Sequence, residues 1–380
     1  MKYEFSYWEY ESFLKDIDVA IIGSGIVGLS AAIQLKKRKP KLKVLVLERG
    51  PLPLGASTRN AGFACIGSMT EIMDDLLNQS EDEVFSLIQK RYNGLRLLRT
   101  TLGDKNIRYK RCKGYELFRD EDKEAFDKCK DQISYVNTLL QPITGKNSTF
   151  HVVENGHRSF GLSGCNHLIV NEIEGSIHVG EMMKNLIKLA RENDVEILSG
   201  VNVNDIIEAS DCVRISVNDH KFFTCKNIII ATNGLAKHLI KDVEIKPARN
   251  QVLLTSPIPN LKLKGTFHYK KGYVYFRNVE DRVLIGGFRH LEPNAEETDV
   301  FGSSETIQDA LREFLNVVIL KGLSYKIEHK WSGILGVGDA KAPIVKMVSP
   351  HCLAAVRLGG MGVAIGSLVG REAADLILDL

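Results

Sequence analysis

The 380-residue sequence has little of what marks several protein classes. Its 7 cysteines include no CxxC pair and no histidines at zinc-ligand spacing, so neither a disulfide framework nor a metal site is predicted. The net charge is only +3, from 50 basic and 47 acidic residues, which argues against nucleic acid as a partner. Long repeats, low-complexity tracts and Pro/Ser-rich linkers are absent. What remains is the composition of an ordinary globular protein.

The one long apolar stretch, residues 17–35, lacks the character of a membrane segment. Asp18 opens it and glycines interrupt it. The residues ahead of it include Glu9 and Glu11, whereas a secretory signal would begin with basic residues. We therefore expect no transmembrane segment and a cytoplasmic protein.

A glycine-rich turn joins the first predicted strand, residues 18–22, to the first predicted helix. Gly23, Gly25 and Gly28 would let backbone N–H groups approach a pyrophosphate at the positive end of that helix. Glu48 ends the next predicted strand, 20 residues beyond Gly28, where a carboxylate can accept hydrogen bonds from a ribose diol. The pattern predicts an adenine dinucleotide and leaves both FAD and NAD open.

Four further blocks address the choice of cofactor. The segment Gly55–Phe63 (GASTRNAGF) resembles the stretch that runs beside the flavin in the D-amino-acid oxidase and glycine oxidase superfamily. Blocks at residues 176–179, 228–234 and 331–333, the last leading into 358–362, agree with that family in order and spacing. Nearly the whole chain shares the resemblance, which implies FAD. A short N-terminal block, Ser6–Glu9, is similar to the gamma-glutamylputrescine oxidase branch.

The resemblance implies an α/β fold in which a Rossmann-type FAD-binding domain is interleaved with a mixed α+β substrate domain. Predicted strands and helices place residues 1–95, 172–246 and 331–380 in the FAD-binding domain. Residues 96–171 and 247–330 form the substrate domain. Helical periodicity over residues 70–101 predicts one or two long helices near the first boundary.

The resemblance also implies which residues hold FAD. Relatives attach flavin covalently at positions that here hold Arg59, Asn60 and residues 334–338, so non-covalent FAD is expected. The implied residues are Gly23, Gly25, Ile26, Val27, Gly28, Glu48 and Arg49 for the adenosine and pyrophosphate, Val203 for the adenine edge, and Ser57, Thr58, Asn60, Ala61, Gly62, Phe63, Gly359, Gly360, Met361, Gly362, Val363, Ala364 and Ile365 for the flavin.

The substrate site departs from the family pattern. Glycine-oxidase-like members carry a Gly-Leu-Arg-Pro block whose arginine holds the substrate carboxylate, and here residues 333–336 read Gly-Ile-Leu-Gly. We expect Tyr273, Tyr275 and Arg289 to face the substrate instead, because a guanidinium fork suits a carboxylate. The alternatives are a core position for Tyr273 and a solvent-facing one for Arg289. No acid or base is assigned, and Cys65 is expected to be a small buried side chain.

The implied reaction is FAD-dependent oxidation of a C–N bond in an amino acid or amine, by hydride transfer to flavin and hydrolysis of the resulting imine. The missing arginine leaves a second hypothesis, a flavin-binding electron-relay or structural subunit without amine turnover. An NAD-dependent dehydrogenase is disfavoured by the flavin-side blocks. Residues 283–285 lack the lysine of sarcosine-oxidase-like relatives, so oxygen and a quinone-type acceptor both remain.

Overall fold

The computed structural model describes residues 5–154, 156–218 and 221–380. Within them the strands are β1 (Ile17–Ile22), β2 (Val44–Glu48), β3 (Phe63–Ala64), β4 (Gly114–Phe118), β5 (Phe150–Val153), β6 (His167–Asn171), β7 (Gly175–Ser176), β8 (Glu196–Ser199), β9 (Val203–Glu208), β10 (Val213–Val217), β11 (Lys221–Ile230), β12 (Lys246–Thr255), β13 (Thr266–Tyr269), β14 (Val274–Val279), β15 (Arg282–Gly287), β16 (Ile327–Val337), β17 (Ile344–Ser349) and β18 (Cys352–Val356).

The helices of these residues are α1 (Tyr7–Glu9), α2 (Ile26–Arg38), α3 (Ala56–Arg59), α4 (Met69–Asn78), α5 (Glu81–Leu102), α6 (Lys123–Thr144), α7 (Gly156–Phe160), α8 (Val179–Glu192), α9 (Pro293–Glu296), α10 (Glu305–Phe314) and α11 (Gly362–Leu378). Short 3₁₀ or π turns lie at Tyr10–Leu14, Asp120–Asp122, Asn233–His238, Arg289–Leu291 and Leu315–Ile319.

The first large sheet has the order β17-β18-β11-β1-β2-β8, and the β9–β10 hairpin extends from β11. The central neighbours β18, β11, β1, β2 and β8 pair in parallel. Five of the six residues of β1 are buried, as expected for a parallel strand covered on both faces. Helices α2, α8 and α11 contribute to the apolar cluster on one face of this sheet. This arrangement is the Rossmann-type layer expected from the sequence.

The second large sheet has the order β16-β12-β15-β14-β13-β4-β6-β5 and is antiparallel except where β13 meets β4. Helix α10 packs Ile307, Leu311 and Phe314 against one face of it. Helices α4, α5 and α6 cover the other face at its β4-β6-β5 end. The strands of this sheet come from two separate parts of the chain. Strands β4 to β6 precede β8 to β11 of the first sheet, and β12 to β16 follow them. The expected α/β fold with an interleaved α+β region is therefore confirmed.

Helix α11 is strongly apolar because it is a core helix. Its backbone approaches two neighbours so closely that only glycine fits at the crossing points. A Cβ on Gly370 would come within 2.5 Å of the Val27 carbonyl oxygen, and one on Gly94 within 2.3 Å of the Ala364 oxygen. Across residues 5–154, 156–218 and 221–380, no helix has the length and apolar character needed to cross a membrane.

The helical stretch 70–101, expected as one or two helices, is two, because Ser80 accepts a hydrogen bond from the Glu83 N–H and its own N–H donates to the Glu83 carboxylate, which starts a new helix. Two other elements differ from the sequence-based expectation. Strand β16 pairs along its length with β12, so residues 331–337 extend the second sheet. Strand β13 was not expected, because its four residues are too few to show a pattern.

Candidate cofactor and substrate site

Two cavities that share part of their walls are lined by residues of both large sheets. The first, of about 450 Å³, opens beyond the carboxyl ends of β1 and β2, the usual ligand position in such a sheet. The second, of about 390 Å³, is walled by the second sheet. Asn60, Leu335, Leu358, Gly359 and Gly360 belong to the walls of both. The cavities therefore form one trough that suits an elongated ligand.

The turn after β1 brings the N-terminus of α2 into close contact with the backbone that precedes it. Gly23 has φ +105°, which L side chains rarely adopt, and its N–H donates to the Leu47 carbonyl at 2.8 Å. A Cβ on Gly28 would come within 2.0 Å of the Gly23 oxygen, so Gly28 serves the packing of α2. Gly25 and Val27 line the first cavity, at the anion-binding end of α2.

Glu48 fixes the loops on both sides of the first cavity. Its Oε2 accepts hydrogen bonds from the Ser24 N–H at 3.2 Å and from the Ser24 hydroxyl at 2.6 Å. Its Oε1 accepts from the Gly50 N–H at 3.0 Å and from the Leu54 N–H at 3.4 Å. The side chain is buried in the cavity wall, and these four hydrogen bonds match the roughly four lone-pair sites of a carboxylate. A ribose hydroxyl would therefore replace or share the longest of them, the one from Leu54.

Three glycines leave bare backbone in the cavity walls, Gly359 and Gly360 in both cavities and Gly362 in the first. A Cβ placed on any of them would meet no atom within 4 Å. Thr232 also lines the first cavity, and its buried hydroxyl has no hydrogen-bond partner in the protein. An open glycine surface and an orphaned hydroxyl are what a polar ligand lying along the trough would cover. The residues present thus fit an adenine dinucleotide.

The segment after α3 forms the boundary between the cavities and is held rigidly. The Asn60 side chain accepts from the Gly62 N–H at 2.8 Å, and Trp331 Nε1 donates to the Arg59 carbonyl at 2.9 Å. Ser57, named from the sequence as a flavin contact, accepts from the Ile26 N–H at 3.0 Å and so caps α2.

Aromatic side chains line the second cavity. The Phe63 ring meets Tyr275 edge-on with centroids 5.6 Å apart and His268 edge-on at 5.2 Å. Burial raises the pKa of Tyr275 well above its ordinary range, so the phenol stays neutral. Burial is the largest influence on the pKa of His268 and lowers it, but the surrounding carboxylates together raise it, above all Glu174, whose Oε2 lies 3.0 Å from His268 Nε2.

Arg289 and Arg59 line the second cavity without an ion-pair partner among the described residues, but Arg59 donates to the Ser332 carbonyl at 2.9 Å and lies over the Phe301 ring. Gly287 (φ 120°) and Phe288 (φ 61°) turn the chain after β15 so that the Arg289 guanidinium lies 5.4 Å from the Tyr273 ring centroid. The lysines of this cavity are instead paired, Lys271 Nζ with Asp74 at 2.6 Å and Lys341 Nζ with Asp75 at 2.5 Å. Arg289 is thus half-buried and available to an anionic ligand.

The structure brings most of the predicted site residues to the trough. Tyr273 is 40% exposed and lines the second cavity, so the alternative of a core position for it is wrong. The predicted residues in the cavity walls are Gly23, Gly25, Ile26, Val27, Glu48, Arg49, Ser57, Asn60, Ala61, Gly62, Phe63, Val203, Tyr273, Tyr275, Arg289, Gly359, Gly360, Met361, Gly362 and Val363.

Four predicted residues lie outside the cavity walls. Gly28 packs α2 against the turn, as described above. Thr58 turns its hydroxyl to the Pro53 carbonyl at 2.7 Å. Ala364 and Ile365 are buried in the core at the start of α11, and their N–H groups donate to the Met361 carbonyl. Their backbone is therefore already hydrogen-bonded within the protein.

Sequence reasoning missed several residues of the second cavity. Asn250 lines it at β12, and its Oδ1 is buried without a hydrogen-bond partner. His268 lies on β13, the strand that was not expected. No spacing or motif connects either residue to the flavin-side blocks, because they reach the cavity only through pairing within the second sheet.

Known proteins match the chain over almost its full length. The model of the DAO family, described as "FAD dependent oxidoreductase", matches residues 18–376. "Probable oxidoreductase OrdL" of Haemophilus influenzae is 24% identical in an alignment 379 residues long. That alignment covers 96% of this chain and 84% of that protein. Glycine oxidase from Bacillus cereus has a TM-score of 0.76 at 18% identity, covering 96% of this chain and 95% of its own. L-proline dehydrogenase from P. horikoshii has a TM-score of 0.75 at 18% identity, covering 96% and 94%.

Proposed function

The chain belongs to the family of FAD-dependent oxidoreductases, and from that premise we propose that it oxidises the C–N bond of a carboxylate-bearing amine or amino acid. The two solved structures described above are a glycine oxidase and an L-proline dehydrogenase, enzymes of two amino acids. This likeness supports the substrate class. The observation that carries the proposal is the unpaired guanidinium of Arg289 in the second cavity.

FAD supplies the acceptor for the two electrons and the hydrogen that leave the carbon next to the nitrogen. The residues of the first cavity would hold its adenosine and pyrophosphate, with Glu48 at the ribose and the start of α2 at the phosphates. The bare glycines at 359, 360 and 362 would lie along the remainder of the FAD molecule. The flavin ring would then reach the second cavity, where Phe63 and Tyr275 line the wall.

Arg289 has the geometry of a carboxylate anchor. Its guanidinium carries donors in a fixed fork that matches a carboxylate, and the Tyr273 ring beside it restricts its motion. The nearby acids are already paired, Glu71 Oε1 with Arg91 at 3.2 Å and Asp74 with Lys271. An incoming carboxylate therefore meets a free cation rather than a neutralised pair.

In this reaction the protein orients the substrate and disfavours the charged form of its amine, and no side chain abstracts a proton. The amine must be neutral to lose hydrogen from its neighbouring carbon, and an aromatic wall of Phe63 and Tyr275 disfavours the ammonium form. The orphaned Asn250 Oδ1 can accept a hydrogen bond from the amine N–H. The imine product is hydrolysed by water to a carbonyl compound and ammonia or an amine.

Two acceptors for the second half-reaction fit the proposal, molecular oxygen and a quinone-type compound. Leu284 and Ile285 are buried and apolar where sarcosine-oxidase-like relatives carry a lysine, and Lys271 and Lys341 are ion-paired. Mixing the reduced enzyme with oxygen or with a soluble quinone, and following the return of the flavin colour, decides between them.

The test uses triads of an amino acid, the matching hydroxy acid and the decarboxylated amine, mixed with the oxidised enzyme without oxygen. We expect an amino acid to bleach the flavin and its hydroxy acid to leave it oxidised. We expect the decarboxylated amine to have kcat/KM lower by about 10- to 150-fold, which corresponds to the ~1.5–3 kcal/mol of a charged hydrogen bond. Equal bleaching by hydroxy acids contradicts C–N oxidation.

The variant Arg289→Met isolates the anchor. It should lower kcat/KM for the amino acid to nearly that of the decarboxylated amine and leave the amine unchanged. Arg282→Met is the matched control, because Arg282 lies at the other end of β15 and pairs with Glu328 at 3.1 Å away from both cavities. If Arg289→Met slows both compounds equally, Arg289 does not hold the carboxylate.

A further inference from the structure

We propose that Cys65, Glu174 and His268 form a binding site for a single zinc ion at the wall of the second cavity. The three side chains are buried, and one ligand atom from each lies within 4.8 Å of the other two. This site goes beyond the oxidation of a C–N bond and does not depend on it. No sequence motif indicates this site, since its ligands lie 109 and 94 positions apart in the chain.

Pairing within the sheets brings the three residues together. Strands β3 and β7 are antiparallel, with Ala64 opposite Gly175. Cys65 directly follows Ala64 and Glu174 directly precedes Gly175, so the two lie beside the same pair. His268 enters from β13 of the second large sheet, and its Nε2 lies 3.0 Å from Glu174 Oε2. His268 is thus held on a strand, and Cys65 and Glu174 each lie directly beside a paired strand residue.

The donor set is the one that zinc prefers. A thiolate sulfur, an imidazole nitrogen and a carboxylate oxygen are its usual ligands, and three protein ligands with a fourth open position are typical of reactive zinc sites. Cys65 and His268 line the second cavity, so an ion bound between them is reached from the side of the substrate. Asn171 Nδ2 donates to Glu174 Oε1 at 3.2 Å, which orients the carboxylate from behind.

The hydrogen bond between His268 and Glu174 does not explain why Cys65 lies beside them. The polar neighbour of the Cys65 sulfur is the thioether of Met361 at 4.0 Å, and a thioether is a weak acceptor. A thiol, an imidazole and a carboxylate gathered in a buried place gain far more from a shared cation than from one another. The open fourth position would take an oxygen or nitrogen donor from the cavity, for example a carboxylate.

The first experiment measures metal in the intact flavoprotein, purified under reducing conditions after growth with added zinc. We expect about one zinc ion per chain to survive gel filtration, with a sulfur neighbour at about 2.3 Å in zinc-edge X-ray absorption. That absorption is independent of the flavin and of activity. Protein without zinc, or zinc that shows only nitrogen and oxygen neighbours, overturns the proposal.

The second experiment assigns the ligands. Cys65→Ser and His268→Gln should each weaken zinc binding by at least about tenfold in competition with a chromophoric chelator. Cys352→Ser is the matched control, because Cys352 is also buried but lies on β18 of the first sheet. FAD content and thermal unfolding establish that each variant folds. If a ligand variant does not fold, the sulfur neighbour in the unaltered protein decides, and zinc binding unchanged in folded Cys65→Ser refutes the site.

Discussion

Replacing Glu48 with glutamine tests how the first cavity holds its cofactor. The carboxylate uses both oxygens, accepting from Ser24 through Oε2 and from Gly50 through Oε1. A glutamine keeps one acceptor oxygen and presents an NH2 group in place of the other. The ribose therefore loses about one charge-assisted hydrogen bond, worth ~1.5–3 kcal/mol, so the Kd for FAD should rise about 10- to 150-fold.

The assay separates that loss from a general weakening of the fold. FAD is titrated into the apoprotein with its fluorescence as the signal, and the free energy of unfolding is measured on the same apoprotein. Glu116→Gln is the matched control, because Glu116 is also buried and accepts from the Thr70 N–H at 3.1 Å, yet lines neither cavity. It should change stability and leave the Kd for FAD unaltered. A Glu48→Gln protein whose Kd stays within about twofold of the unaltered one, less than half a kcal/mol, removes Glu48 from the cofactor site.

Two glycine substitutions test opposite roles. Gly28→Ala places a Cβ 2.0 Å from the Gly23 oxygen, so the unfolding free energy should fall by at least about 1–3 kcal/mol in urea titration, and unchanged stability would show that α2 does not need this close packing. Gly360→Val adds a side chain to open space in both cavities, so thermal unfolding of the apoprotein should hardly change while FAD retention is lost; full retention would place the cofactor elsewhere.

The first sheet was predictable because its signals are local. A buried apolar strand, a glycine turn and a largely buried, alanine-containing helix stand next to one another in residues 17–38, and each has a composition of its own. Glu48 could be placed for the same reason, as the last residue of the next strand. The flavin-side blocks required resemblance as well, since nothing physical in the segment 55–63 specifies a flavin.

The wall of the second cavity was only partly predictable. Tyr273, Tyr275 and Arg289 follow one another along a single hairpin, so a family pattern could locate them. His268 lies on a strand of four residues, and Glu174 lies before one of two. Segments that short carry no readable period, and their position depends on partners distant in sequence. The cluster with Cys65 is a product of that pairing and appears only in three dimensions.

The most direct test of C–N oxidation is the product balance of one turnover without oxygen. Enzyme in excess over an amino acid that bleaches the flavin is allowed to react once, and carbonyl product, released ammonia or amine, and reduced flavin are all counted. We expect the three to appear in equal amounts, because removal of two electrons gives an imine that water cleaves. A carbonyl product formed without release of nitrogen, or a flavin that no amine or amino acid reduces, contradicts the proposed function.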